Sequence, residues 1–311
     1  MDKQPIPETM LEAVRQFSDP DKAHDFFVQL RWPNGVACPR QGCGSADVAY
    51  LARQKRWYCR ECKRQSSAKV GTIFEDSPIG FDKWLPAIWL IASNRNGISS
   101  CELARALKVT QKSAWFMLHR IRLAMKDDAF DMLSGEVEAD ETYIGGSVTS
   151  KRHKRLAQGR KPQGPQKDKV AVMGMVERGG RVRAFTIPSN RKETLLPAIV
   201  ENVAAGSTVY TDSLGSYTDL RKGYAHFVIN HAERYVNGRV HTNSIENFWS
   251  VLKRTLGGTY IAARPQHLDA YLDEQIFRFN ERREKDGPRF AKVTKAMDGR
   301  RLTWKTLTRK A

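Results

Sequence analysis

Asp140, Asp212 and Glu246 are three carboxylates whose positions suit the binding of divalent metal ions. The first two fall in or at the end of predicted strands, and the third falls on a later predicted helix. Such a set can hold two ions about 4 Å apart, one activating water or a 3′-hydroxyl and the other stabilising the leaving oxygen at phosphorus. Oxygen ligands favour Mg²⁺ or Mn²⁺. Because the three residues are far apart in the sequence, only a folded sheet can bring them together.

The strand predicted from Glu136 to Ile144 decides which of its acidic residues can share a site. Side chains alternate between the faces of a strand, so Glu138 and Asp140 lie on one face and Glu141 lies on the other. Asp140 and Glu141 therefore cannot both be ligands of one site. Asp212 follows an apolar run and precedes a turn, so it either projects into a cleft or acts only as a turn or N-cap residue.

The helix predicted to begin near Asn243 carries a polar stripe. Its members recur at intervals of three, four and three residues, namely Asn243, Glu246, Ser250 and Lys253. Glu246 can serve as the third metal ligand, but Asn243-x-x-Glu246 also matches a capping box, in which the glutamate only closes the helix start. Lys253 is either a surface lysine or a contact for a substrate phosphate. His241, which precedes the helix, is more often structural than phosphate-binding.

Four of the five cysteines form a zinc-ribbon pattern, spaced Cys38-x4-Cys43 and Cys59-x2-Cys62. Two such knuckles can close a tetrahedral zinc site that stabilises a segment too small to have a core of its own. The alternative, unpaired core cysteines, is disfavoured because turn-forming Pro and Gly residues lie where the knuckles need them. Cys101 is remote from the other four, and we expect it in a core.

The charge balance indicates a polyanionic partner. Lys and Arg number 52 against 34 Asp and Glu, a formal net charge of +18, which favours association with nucleic acid through counterion release. The sequence has no apolar stretch long enough to span a bilayer and no signal-peptide core at its start. A cytosolic protein is therefore expected, in which disulfides are unusual. Its 311 residues predict two or three domains.

Residues 78–130 have a helical pattern, and two short helices within them outline a helix-turn-helix. Ser99 or Ser100 can cap the first helix, and Thr110 can cap the second after a short break. The second helix would lie in the major groove of DNA with three basic residues, Lys112, Arg120 and Arg122. An ordinary helical hairpin has the same pattern, so a plain scaffold stays an alternative.

After Gly135 the pattern changes to strands separated by helices, with a hairpin predicted at Gly179-Gly180. The predicted strands lie within 136–146, 169–189, 206–212 and 226–231, and the predicted helices span roughly 193–203, 243–256 and 265–282. Between the first two strands, the segment 147–169 is rich in Lys, Arg, Gly and Pro. This basic loop is either simply solvated or a clamp for a phosphate backbone.

The order of these features resembles one bacterial family. A zinc ribbon, a helical region, EADETYIGG, a basic loop, YTDSLGSY and HTNSIENFWSVLKR, over roughly residues 20–285, resemble the DDE transposases of insertion-sequence family 1595. The resemblance implies a ribonuclease-H-like catalytic domain, Mg²⁺-dependent strand cleavage at element ends and strand transfer into target DNA. It makes Asp140, Asp212 and Glu246 the catalytic residues and Lys253 the basic residue that follows. Relatives described with Asn as the third catalytic residue leave Asn243 as an alternative.

We therefore expect a multidomain α+β protein. Its parts are an N-terminal helix and zinc ribbon in 1–75, a helix-turn-helix-like region in 76–130, a ribonuclease-H-like α/β domain with a mixed sheet in 131–285, and a basic tail in 286–311. The expected function is that of a DNA transposase using Mg²⁺ or Mn²⁺, with structural Zn²⁺, acting on double-stranded DNA as a homodimer or larger synaptic complex. We expect it in the bacterial cytoplasm, associated with the nucleoid and not with a membrane. The alternatives are a non-catalytic DNA-binding regulator and a structure-selective nuclease on the same fold.

Overall fold

The chain divides into two compact units, Met1–Lys126 together with Arg283–Ala311, and Asp127–Arg282. The computed structural model describes residues 4–127, 131–145, 169–212, 215–229, 241–261 and 263–308. The predicted basic loop, 147–169, lies outside the described residues except for its last residue. The first unit is therefore assembled from both ends of the chain, and the second from one continuous segment.

The first unit begins with two helices and a small antiparallel sheet. These are α1 (Met10–Phe17), α2 (Pro20–Arg31), β1 (Val48–Leu51), β2 (Arg56–Cys59) and β3 (Gln65–Ser67), with the strands in the order β1-β2-β3. Each helix starts at an acceptor side chain, since Thr9 accepts from the Glu12 amide and Asp19 from the Asp21 amide. Trp57 of β2 is buried and its ring stacks on His24 of α2.

Three further helices follow, α3 (Phe81–Ser93), α4 (Ser100–Leu107) and α5 (Gln111–Met125). Their caps lie where the sequence predicts them. Ser99 closes a capping box at the start of α4, and the Thr110 hydroxyl accepts from the Ser113 amide at the start of α5. Lys108, with φ of 49°, ends α4 in the left-handed conformation and turns the chain into α5.

The second unit is built on a five-stranded mixed sheet in the order β6-β5-β4-β7-β8. Its strands are β4 (Glu136–Ile144), β5 (Val170–Glu177), β6 (Val182–Ile187), β7 (Thr208–Asp212) and β8 (Ala225–Ile229). β5 runs antiparallel to both β4 and β6, whereas β4, β7 and β8 are parallel to one another. The mixed sheet expected from the sequence is confirmed, with β4 at its centre.

Helices cover both faces of this sheet. α6 (Lys192–Asn202) and a 3₁₀ helix, Gly215–Lys222, pack on the face that carries Val137 and Ala139. α7 (Asn243–Gly258) and α8 (Leu268–Asn280) pack on the other face, against Val172 and Val176 of β5. Since side chains alternate along β4, Glu138 and Asp140 face the α7 side.

The chain returns to the first unit through α9 (Asp286–Lys295) and α10 (Trp304–Thr308). Phe290 of α9 is fully buried, and its ring contacts Phe17, Phe26 and Trp89. The region expected as a basic tail thus contributes to the core of this unit. Across the described residues, no helix combines the length and the apolar character needed to cross a membrane.

Gly174 is the residue of β5 that lets α7 approach the sheet closely. A Cβ at this position would lie 2.5 Å from two ring atoms of Trp249 and 2.8 Å from the Ile245 side chain. We expect Gly174→Ala to lower the free energy of unfolding by about 2 kcal/mol, because overpacking forces the helix or the indole to move. Chemical denaturation of the purified protein measures this change.

The matched control is Gly257→Ala, in α7 itself, where an added Cβ meets nothing within 4 Å. This variant should be neutral or slightly stabilising, since Ala is the better helix former. Equal stability of the Gly174→Ala and Gly257→Ala variants would contradict the close approach of α7 at Gly174.

Candidate metal and nucleic-acid sites

Asp140 and Asp212 lie on neighbouring strands, two residues beyond the last pair of the parallel β4–β7 ladder, Glu138 with Tyr210. Because side chains alternate along a strand, Asp140 shares the face of Glu138, and Asp212 shares the face of Tyr210. The charge of Asp212 acts on Asp140. The two carboxylates therefore belong to the same face of the sheet, the face that α7 covers.

Glu246 lies on α7 and acts electrostatically on Asp140. Its charge is one of the causes that raise the pKa of Asp140. The capping box with Asn243 is not formed, because α7 begins at Asn243 and Thr242 is its N-cap. The Thr242 hydroxyl instead donates to Glu246 Oε1 at 2.9 Å. The predicted polar stripe is exposed along its length, at Asn243, Glu246, Ser250 and Lys253.

The surroundings of Asp140 are rich in negative charge. Burial is the main cause that raises the pKa of Asp140 to about 6, and repulsion by Asp212 and, more weakly, by Glu246 adds to it. The hydrogen bonds that Asp140 accepts act in the opposite direction and lower this pKa. A divalent cation would offset this repulsion, and carboxylate oxygens are the ligands that Mg²⁺ and Mn²⁺ prefer. The donor set of Asp140, Asp212 and Glu246 therefore fits such an ion by its chemistry.

Trp249 of α7 holds the Asp140 carboxylate directly. Its indole Nε1 donates to Asp140 Oδ2 at 3.0 Å, and the ring lies over Gly174, which is opposite Asp140 on β5. The helical spacing of Trp249 with Phe248 favours a core residue over one that stacks on bases, and this pattern does not show what the indole N–H reaches. This hydrogen bond fixes the orientation of the Asp140 carboxylate group.

Glu141 faces the opposite side of the sheet, as the alternation along β4 predicts. The buried Tyr217 hydroxyl donates to its carboxylate. Burial raises the pKa of Glu141 to about 7, and the charges of Asp140 and Asp212 add to that effect. Tyr217 belongs to the 3₁₀ helix that follows Asp212, so this bond ties the chain after one aspartate to the strand that carries the other.

The four cysteines form a second candidate metal site. The Sγ atoms of Cys38 and Cys62 are 3.8 Å apart, and those of Cys43 and Cys59 are 3.7 Å apart. Four sulfurs at about 2.3 Å from a tetrahedral Zn²⁺ would be about 3.8 Å from one another, so the cluster has the dimensions of a zinc site. Within the described ranges it is the one group whose metal-ligand atoms lie so close together. The three carboxylates are less tightly gathered.

Two residues predicted to contact DNA are buried instead. Arg120 is 6% exposed and donates to the carbonyls of Ile73 and Glu75, and Arg122 is 1% exposed. The prediction that these two arginines bind DNA is therefore wrong, since neither can reach a phosphate. Lys112, at the start of α5, is exposed and lies over the Trp304 ring.

Cys101 of α4 is exposed, which contradicts the expectation of a core position for this cysteine.

Two models of known protein families match segments of this chain. Residues 132–280 match the ISXO2-like transposase domain, and residues 18–65 match a transposase zinc-ribbon domain. An uncharacterized protein in transposable element ISH50 of Halobacterium salinarum is 26% identical over 78% of this chain and 85% of its own length. An uncharacterized transposase-like protein of Haemophilus influenzae is 37% identical over 32% of this chain and 81% of its own length.

One solved structure is similar at a lower level. It is the simian T-cell lymphotropic virus intasome in complex with PP2A regulatory subunit B56 gamma, at 14% identity and a TM-score of 0.30 over 62% of this chain and 64% of that one. A likeness of this size carries no argument. The two domain matches and the two relatives define a transposase-type protein with a zinc ribbon. The chain belongs to the family of ISXO2-like transposases, insertion-sequence family 1595.

Zinc should be bound in the ribbon with about one ion per chain. We expect Cys59→Ser to remove most of it, because serine does not supply a thiolate ligand, and to loosen residues 38–62, whose small sheet has little core. Elemental analysis of the purified protein and hydrogen exchange of that segment measure both effects. Cys101→Ser, which removes an exposed thiol outside the cluster, is the control and should leave the zinc content unchanged. Equal zinc in both variants would contradict the assignment.

Proposed function

We propose that this protein is a DNA transposase that cleaves the ends of its insertion sequence and joins them to target DNA. The observation that carries the proposal is the placement of Asp140 and Asp212 on one face of the paired parallel strands β4 and β7, with the charges of Asp212 and Glu246 acting on Asp140. The five-stranded mixed sheet with helices on both faces supports a ribonuclease-H-like catalytic domain. The match of 132–280 to a transposase domain covers the same residues.

Asp140, Asp212 and Glu246 are the proposed ligands of Mg²⁺ or Mn²⁺. Bound ions would supply activation of a water or 3′-hydroxyl and stabilisation of the leaving oxygen. Trp249 orients Asp140 by its 3.0 Å hydrogen bond to Oδ2. Thr242 holds one oxygen of Glu246 in the same way. These bonds preorganise the carboxylates, so less ordering is needed when an ion and DNA arrive.

Exposed cations are the proposed DNA contacts. Lys253 lies on the same exposed stripe as Glu246, two turns further along α7, where it can reach a phosphate beside the scissile bond. Lys112 lies near the N-terminus of α5, the end of a recognition helix that contacts base edges in a helix-turn-helix. Asn243 is a proposed contact at the other end of the stripe. Because two element ends must be paired, we propose a homodimer or a larger synaptic complex.

Asp140→Asn and Asp212→Asn should each lower Mg²⁺-dependent cleavage by more than about 10³-fold, because an amide binds Mg²⁺ weakly and the charge of the site falls. DNA binding should be retained. The measurement uses purified protein with DNA that carries the repeats flanking its own gene, and maps nicks and joined products. Asp269→Asn, in α8, whose carboxylate accepts from the Thr186 amide and hydroxyl, is the control and should cleave normally.

The same assay separates the alternatives. Full activity of both aspartate variants would refute the site. Binding of the end DNA by the natural protein without nicking in Mg²⁺ or Mn²⁺ would support a non-catalytic regulator. Cleavage of branched DNA that lacks the end sequence, with no joined product, would support a structure-selective nuclease.

Glu246→Gln should lower cleavage by at least about 100-fold, whereas Asn243→Ala should lower it less than about tenfold, since a carboxylate is the stronger ligand for Mg²⁺. Both residues are exposed on the first turns of α7, so neither substitution disturbs the core. Single-turnover cleavage rates at saturating DNA give the comparison. If Asn243→Ala proved the more damaging, the third catalytic position would move to Asn243.

A further inference from the structure

Glu138 is a fully buried carboxylate on the same face of β4 as Asp140, two residues before it. Its Oε2 accepts from the Ser244 amide at 2.7 Å and the Ile245 amide at 3.1 Å. Its Oε1 accepts from the Ser244 hydroxyl at 3.1 Å. A side chain of the central strand is thus bonded to the first turn of α7.

These bonds are those that an N-cap residue normally makes. The first amides of a helix have no partner within it, and a cap side chain accepts from the second or third of them. In α7 the second and third residues are Ser244 and Ile245, and the N-cap Thr242 makes no such bond. Glu138 therefore caps α7 from the sheet, and its negative charge lies at the positive end of the helix dipole.

The buried charge of Glu138 is compensated by an arginine. Arg178 Nε donates to Glu138 Oε1 at 2.8 Å, and its Nη2 donates to the His241 carbonyl at 2.7 Å. His241 Nδ1 also lies 3.3 Å from Glu138 Oε1. His241, considered above as a phosphate contact, is thereby held against the sheet. The chain that leads into α7 and the helix start are bound at one point.

Glu246 lies one residue beyond the amides that Glu138 binds. A second polar tie between α7 and β4 is the bond from Trp249 to Asp140, one turn further along. Glu246 is between these two ties, so the place where α7 starts determines where its carboxylate stands relative to Asp140. A shift of the helix start would carry Glu246 with it.

We propose that Glu138 is a positioning residue of the metal site: it fixes the start of α7 and through it the distance of Glu246 from Asp140. The proposal rests on the three-carboxylate site proposed above. Glu138 itself is not a ligand, because both of its oxygens are occupied by donors from α7 and Arg178. Its removal should weaken metal binding more than it slows the reaction of the metal-loaded protein.

Glu138→Gln tests this, with Glu136→Gln as the matched control. Glu136 lies on the same face of β4, accepts from the Tyr210 hydroxyl and has Arg178 Nη1 3.6 Å from its Oε2. Its substitution therefore removes a charge beside Arg178 but keeps Glu138, the carboxylate that accepts from the α7 amides. Titration of the zinc-loaded protein with Mn²⁺, followed by electron paramagnetic resonance, should give a Kd about 10- to 100-fold weaker for Glu138→Gln. Glu136→Gln should bind Mn²⁺ as the natural protein does.

Two further measurements separate positioning from general stabilisation. Hydrogen exchange at the Ser244 and Ile245 amides should be faster in Glu138→Gln and unchanged in Glu136→Gln. Cleavage by Glu138→Gln should recover to within a few-fold of the natural rate at high Mn²⁺. A rate that stays low at every Mn²⁺ concentration, with an unshifted metal dependence, would overturn the proposal, and so would natural Mn²⁺ affinity.

Glu138→Asp covers the case in which the Gln variant does not fold. It keeps the charge for Arg178 but shortens the side chain, so the carboxylate reaches the α7 amides only if the helix moves. The same weakening of Mn²⁺ binding is expected, and natural affinity with natural amide exchange would overturn the proposal.

Asp140→Asn is the reference variant that distinguishes failure of the three-carboxylate site from failure of the role proposed for Glu138. Natural Mn²⁺ affinity in that variant would refute the three-carboxylate site, whereas a loss there without a loss in Glu138→Gln would refute only the role of Glu138.

Discussion

The parallel pairing of β4 with β7 is the constraint on which the candidate metal site depends. It places two aspartates on one face of adjacent strands, where burial and the charge of Asp212 raise the pKa of Asp140. The pairing persists because apolar residues on both faces of the sheet, such as Val137 and Val209 on one and Val172 and Val176 on the other, are fully covered by helices. Packing therefore holds the two aspartates together, and a bound cation would relieve the repulsion that packing creates.

Three acidic residues of β4 each bind a different neighbour. Glu138 binds the start of α7, Asp140 accepts from Trp249 further along the same helix, and Glu141 accepts from Tyr217 after β7. The short string EADE thus connects the strand to α7, which carries Glu246, and to the 3₁₀ helix that follows Asp212. Because side chains alternate, the connections to α7 lie on one face and the connection to Tyr217 lies on the other.

Features that depend on spacing within one segment could be predicted from the sequence. They include the cysteine cluster, the opposite faces of Asp140 and Glu141, the end of β7 at Asp212 and the exposed stripe on α7. Features that depend on distant segments could not. Arg120 is buried because the carbonyls of Ile73 and Glu75 receive its guanidinium, and because α3 and α9 pack around α5. Basic residues on a helix give no sign of such partners. The pairing of Trp249 with Gly174 is hidden for the same reason.

The capping of α7 by Glu138 also bears on the order in which the protein folds. A helix that supplies its own cap can begin to form as soon as its residues are synthesised, but the partner of the α7 amides lies 106 residues earlier in the chain. The first turn of α7 gains this stabilisation only after a long loop has closed and β4 has joined the sheet. We expect this turn to be a late event in folding, so the chain carries its third carboxylate as a loosely held group until the rest of the sheet is complete.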